Sequence, residues 1–190
     1  MVISPPNQNM ATIASLQNLF EKFLSAPDGK YEWRGEGFTG YTLHRAGKII
    51  WAEGKGTVNQ YVGLAALLRI ASNPQVEIES MPEEAHEPNI REDWSFVTHK
   101  LREQIRMTIR YFFLKPRKFN LWAHRTKVNP VDIDDMQKSI LSKIAVDMLH
   151  FGDISDMNDD VLLWQLVVLE EKGAVVLVEP ERVEIRKKAD

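Results

Sequence analysis

The chain has 190 residues, 44% hydrophobic and 27% charged, with a formal net charge of -3, which is apolar enough for one domain or two small ones and too apolar for wholesale disorder. The absence of cysteine excludes disulfides, thiolate metal sites, iron–sulfur clusters and a cysteine nucleophile, and fits a reducing, cytoplasmic setting. The longest apolar runs, such as Val161–Trp164 and Leu166–Leu169, fall far short of the roughly 20 residues that span a bilayer.

Residues 1–11 carry prolines and asparagines where a signal peptide would carry a basic start and an apolar core, so they read as a loose tail. From Thr12 to Leu24, Ile13, Leu16, Leu19, Phe20, Phe23 and Leu24 recur at spacings of three and four, which predicts an amphipathic helix ended by Pro27-Asp28-Gly29. Lys30–Trp33 and Gly40–Trp51 are rich in aromatic and β-branched residues and punctuated by glycines, which predicts a meander with a hairpin at Arg45-Ala46-Gly47-Lys48. Helical spacing returns over Asn59–Ala71, followed by an alternating strand at Val76–Glu79. Met81–Pro88, with two prolines and three glutamates, reads as a solvated linker.

Trp94, Val97, Leu101, Ile105 and Ile109 share one face of a long predicted helix over 92–114, which Pro116 ends. A helix is expected from Asp134 to Leu149 with Met136, Ile140, Ile144, Met148 and Leu149 inward. A short helix near Ile154–Met157 and another from an Asp159 N-cap through Glu171, stopped by Gly173, should follow. Ala174–Val178 and Arg182–Ile185 flank Glu179-Pro180-Glu181 as a terminal hairpin. The whole reads as an α+β protein: a domain over 12–115 built from a helix, an antiparallel meander and packed helices, then a small winged-helix-like unit over 128–190.

Charge is segregated along the chain. Lys100–Lys127 holds nine Lys/Arg against one acid, whereas Asp132–Glu179 holds eleven acids against three lysines. Tyr111, Phe112, Phe113, Phe119 and Trp122 interleave the basic stretch, a composition that suits nucleic acid. The simpler reading is that those rings are core and the cations a solvated face or the partner of the acidic half. The helix Asp159–Glu171 is too apolar and too acidic to read a major groove.

Catalytic constellations fail in turn. Gly54-Lys55-Gly56-Thr57 lacks phosphate-loop spacing and reads as a turn before a helix. The five histidines are scattered singly, Asp153, Asp156, Asp159 and Asp160 do not fit a calcium loop, and no serine lies in a nucleophile elbow. No catalytic, cofactor-binding or metal-ligating residue is expected.

Four segments carry a family resemblance: Leu16-Gln17-Asn18-Leu19-Phe20, Tyr41-Thr42-Leu43, Gly47-Lys48-Ile49-Ile50-Trp51-Ala52 with Gly54, and the step from Leu67-Leu68-Arg69 to Val76-Glu77-Ile78. Together, over about 14–79, they resemble the PATAN domain, the N-terminal module of PatA-type bacterial response regulators. The family strand is similar to Phe-x-x-Gly-Arg-hydrophobic-hydrophobic-x-Ala-x-Gly; this chain has His44-Arg45-Ala46-Gly47-Lys48 at its start, and no receiver-domain pattern follows. The resemblance implies a bacterial signalling adaptor that acts by binding proteins, in motility or differentiation control, with no catalytic residues. The expected contact surface comprises Trp33, Trp51, Arg102, Arg106, Arg110, Lys115, Arg117 and Lys118, with Trp51 reading equally as a core anchor. The alternative is a DNA-binding transcriptional regulator using the basic segment 100–127 and the winged-helix-like unit.

Overall fold

The computed structural model describes residues 18–73, 76–82, 84–127, 132–144, 148–154 and 157–179. The fold is α+β, and the chain divides into two compact units, Met1–Ile109 and Arg110–Asp190. The expected tail over 1–11, the first turns of the N-terminal helix and the strand Arg182–Ile185 lie outside the described residues.

In the first unit a helix, α1 (18–25), precedes four strands in sequence: β1 (Gly29–Gly35), β2 (Phe38–Arg45), β3 (Lys48–Gly56) and β4 (Gln60–Val62). Helix α2 (Gly63–Ala71) and strand β5 (Glu77–Met81) follow, then α3 (Trp94–Leu114), whose residues to 109 belong to this unit. The sheet is antiparallel in the order β4-β3-β2-β1-β5. The β2–β3 hairpin turns at Arg45↔Lys48 with Ala46 at φ 50° and Gly47 at φ 70°, the two positive φ values that a tight hairpin turn needs to match strand twist. Alternation along the strands puts Trp33, Phe38, Ala52 and Ile78 on the face that meets Phe23, Leu67, Ile70, Val97 and Leu101 of the helices. Gly40 and Gly54 sit on that face because a Cβ would lie 2.6 Å from Ile70 and 2.4 Å from the Phe38 ring, respectively.

Two expectations change here. Lys55 and Gly56 end β3, and β4 intervenes before α2, so the glycine stretch is a strand end and turn and does not lead directly into a helix. Residues 84–90 are not a free linker. Asn89 lies against the edge of β3 beyond the end of β4: its side chain accepts from Ala52 N and donates to Ala52 O, both at 2.9 Å, while Asn89 N and Ile90 N donate to Ile50 O. The amide reproduces the donor–acceptor pair that a neighbouring strand would offer.

In the second unit, β6 (Trp122–Arg125) lies between β7 (Leu149–His150) and β8 (Val175–Val178) in a three-stranded antiparallel sheet. The unit also holds helices α4 (Asp135–Lys143) and α5 (Asp159–Glu171), the latter packed against β8, and a 3-10 segment Lys115–Asn120 leads into β6. Its core includes Leu121, Ile140, Phe151, Leu162, Leu166 and Leu177. Helix α4 starts at a capping box between Asp134 and Gln137 and stops well before Leu149, which is in β7. Met136, expected inward, is 44% exposed. The helical spacing of apolar residues ran on into β7 because a two-residue strand is too short to show alternation. The expected turn of helix near Ile154 is a 3-10 segment at Phe151–Asp153. Asn158, not Asp159, caps α5, its side-chain oxygen accepting from Asp160 N and Val161 N, and Gly173 at φ 71° stops the helix as expected.

Candidate interaction site

The expected contact residues fall into three environments. Trp33, expected on a surface, is 1% exposed: it stacks on Phe23 at 4.4 Å, and its indole N–H donates to Thr42 Oγ1 at 2.7 Å. Strand alternation turns it inward together with Ile78 and Thr42, so it cannot reach a partner. Trp51, on the opposite face, is 6% exposed because the His86 ring stacks on it at 4.0 Å and 15°. It is a core anchor beneath the segment 84–90, tied down further by Lys30 Nζ, which bonds Glu84 at 2.7 Å and lies 5.8 Å from the Trp51 ring. Arg102 is exposed, with its guanidinium 5.7 Å from the Phe20 ring; Arg106 is exposed on the same helix.

The other four cations all belong to the second unit, and acids of that unit answer each of them. Arg110 donates through Nε and Nη2 to the two carboxylate oxygens of Glu170 at 2.7 and 3.0 Å, the fork-on-fork arrangement available to Arg and not to Lys. The same carboxylate accepts Leu177 N at 3.1 Å, and Arg110 also reaches Leu177 O. Lys115 pairs with Asp160 at 3.0 Å, and Lys118 with Asp160 at 3.2 Å and Asp159 at 3.4 Å. The hydrogen bond from Lys115 is the main reason the Asp160 carboxyl is held below its ordinary range, and the same contact raises Lys115. Arg117 lies 4.1 Å from the Phe113 ring and 3.9 Å from Glu179. Asp159 and Asp160 open α5, where negative charge also suits the helix dipole.

Helix α5 itself offers little surface. Leu162, Leu163, Leu166, Val167 and Leu169 are buried, and Gln165 is engaged by Gln137 at 3.0 Å. Asp159 and Asp160 are held by lysines and Glu170 by Arg110, so the helix carries acids where a helix that enters a groove carries cations.

Among the described residues no group of three or more His, Asp or Glu could hold a metal ion, and no helix is long and apolar enough to cross a membrane. A hollow of about 590 Å³ lies beside the β3–β4 turn, lined by Lys55 to Tyr61 with Val58 90% exposed at its rim. Sequence reasoning missed Glu84, His86 and Asn89, which fasten 84–90 to the sheet. Their neighbours Pro82, Glu87 and Pro88 dominate the local signal, and an amide that imitates a strand has no sequence period. Comparisons with family models, curated proteins and solved structures found no match.

Proposed function

We propose that this protein is a non-catalytic signalling adaptor or regulator that works by binding other proteins in the bacterial cytoplasm, in the manner its likeness to PATAN domains implies, within motility or differentiation control. The observation that carries the proposal is the internal pairing of the basic segment: Arg110, Lys115 and Lys118 are bound to Glu170, Asp159 and Asp160 of the same unit. A cation already paired with a carboxylate releases no net counterion when it meets a phosphate, which weakens the main source of affinity for nucleic acid. The chain order β6, α4, β7, α5, β8 supports a winged-helix-like description of the second unit, and the acids Asp159, Asp160 and Glu170 on α5 weigh against its reading DNA.

The test is reconstitution. A tagged chain is used to recover partners from its native cell, and each recovered protein is then mixed, purified, with the purified chain. The expected result is a stoichiometric complex that forms from the two purified proteins and survives nuclease treatment. Recovery that depends on nucleic acid, or the absence of any complex that can be rebuilt, would sink the proposal.

A further inference from the structure

The two edges of the five-stranded sheet are treated differently. Along β3, residues 53–55 pair with β4 and the stretch beyond is covered by Asn89 and Ile90. Strand β5, at the other end of the sheet, pairs only with β1 among the described residues, so the N–H and C=O groups of alternate β5 residues face outward with no strand beside them. Glu77 and Glu79 are exposed on one face of this strand, and Ile78, half-buried against the core, is on the other. Glu79 is 3.1 Å from Arg34, while Glu77 has no ion-pair partner among the described residues.

We propose that the β5 edge is a docking site for an extended segment of a partner protein that alternates basic with apolar residues and adds to the sheet as a sixth strand. Backbone hydrogen bonds would supply the attachment and the side chains of alternate positions the choice of partner. The glutamates make that choice. Opposite charges directly across a strand pair stabilise it and like charges oppose it, so Lys or Arg facing Glu77 and Glu79 is favoured, with an apolar residue opposite Ile78. A second copy of this chain is disfavoured by the same rule in the registers that bring its glutamates opposite one another. Antiparallel pairing centred on Glu79 sets that residue against itself, and pairing centred on Ile78 sets Glu77 against Glu79 twice.

This rests on the protein-binding reading above and narrows it to one edge. The probe is a seven-residue peptide, Lys-Val-Lys-Val-Lys-Val-Lys, and the readout is amide hydrogen exchange of the full chain together with peptide affinity. The peptide should slow exchange of amides within 77–81 and leave those of 60–62 unchanged. The double variant Glu77→Lys, Glu79→Lys should bind it about tenfold more weakly, as two reversed cross-strand pairs imply, and should instead accept the peptide with Glu in place of Lys. Equal binding of the Glu peptide by the native chain, equal binding of a scrambled Lys/Val sequence, or saturation without protection at 77–81 would each overturn the proposal. If the peptide fails while a rebuilt protein complex still forms, the edge is wrong and the binding module stands.

Discussion

Thr42 stands at the centre of a buried polar chain in the first unit. The Trp33 indole can only donate, so Thr42 Oγ1 accepts from it, and the one hydroxyl proton is then free to go to His44 Nε2 at 3.0 Å. That order requires a neutral imidazole with its proton on Nδ1. Burial, with His44 2% exposed, pushes its pKa from 6.5 down to about 4. Between those values the unfolded chain binds a proton that the folded chain refuses. The contribution is therefore complete above about pH 6.5 and is lost as the pH falls toward 4, a change of about 3 kcal/mol at most. Denaturant unfolding at pH 7 and pH 5 should show the loss, and His44→Phe should flatten it; an unchanged slope in the variant would assign the acid sensitivity elsewhere. Thr42→Val leaves the Trp33 N–H buried without a partner and should cost about 2 kcal/mol by the same measurement. This chain of bonds was not legible beforehand: Trp33 read as a surface contact because a single aromatic in a glycine-punctuated strand does not say which face of the sheet is covered.

At the scale of elements, the β2–β3 hairpin shows what sequence can specify. Arg45-Ala46-Gly47-Lys48 marked the turn through glycine and the flanking β-rich runs, and the register Arg45↔Lys48 places it there. Ala46 at φ 50° is the strained position. Replacing it with Asn or Gly should raise stability by about 0.5–1 kcal/mol in denaturant melts, and a loss of stability would mean that the turn is not held as described. The segment 84–90 is the opposite case, because composition suggested solvent while packing fastens it to the sheet through Asn89, His86 and Glu84. Asn89→Ala removes two hydrogen bonds from the β3 edge and should cost about 1–2 kcal/mol, with faster hydrogen exchange at Ala52 as the specific sign. Helix α4 ran long in the sequence reading because Ile140, Ile144 and Met148 keep helical spacing past the point where the chain turns to make β7. Long periodic segments such as α3 were legible from their own pattern; short strands and caps were not, since Asn158 and Asp159 are equally good caps on paper.

For the whole molecule, the informative quantity is where charge is answered. The basic stretch and the acidic one that follows it cancel, so the formal net charge of -3 hides their segregation, and four of the eight expected surface residues, Arg110, Lys115, Arg117 and Lys118, meet acids of the second unit. The mutual attraction of the two stretches was visible in the sequence; which acid meets which cation was not, because Glu170 and Arg110 are 60 residues apart. Glu170→Ala leaves both the Arg110 guanidinium and Leu177 N without their acceptor and should destabilise the chain by about 2–3 kcal/mol, whereas Glu79→Ala at an exposed site should change stability by less than about 0.5 kcal/mol. The most direct measurement of the central claim, that these cations serve the fold and the chain acts on proteins, is a salt titration of duplex DNA binding by the full chain. We predict no measurable binding at about 0.15 M salt. Binding at that salt, with affinity falling steeply as salt is raised, would contradict it and point to a nucleic-acid regulator.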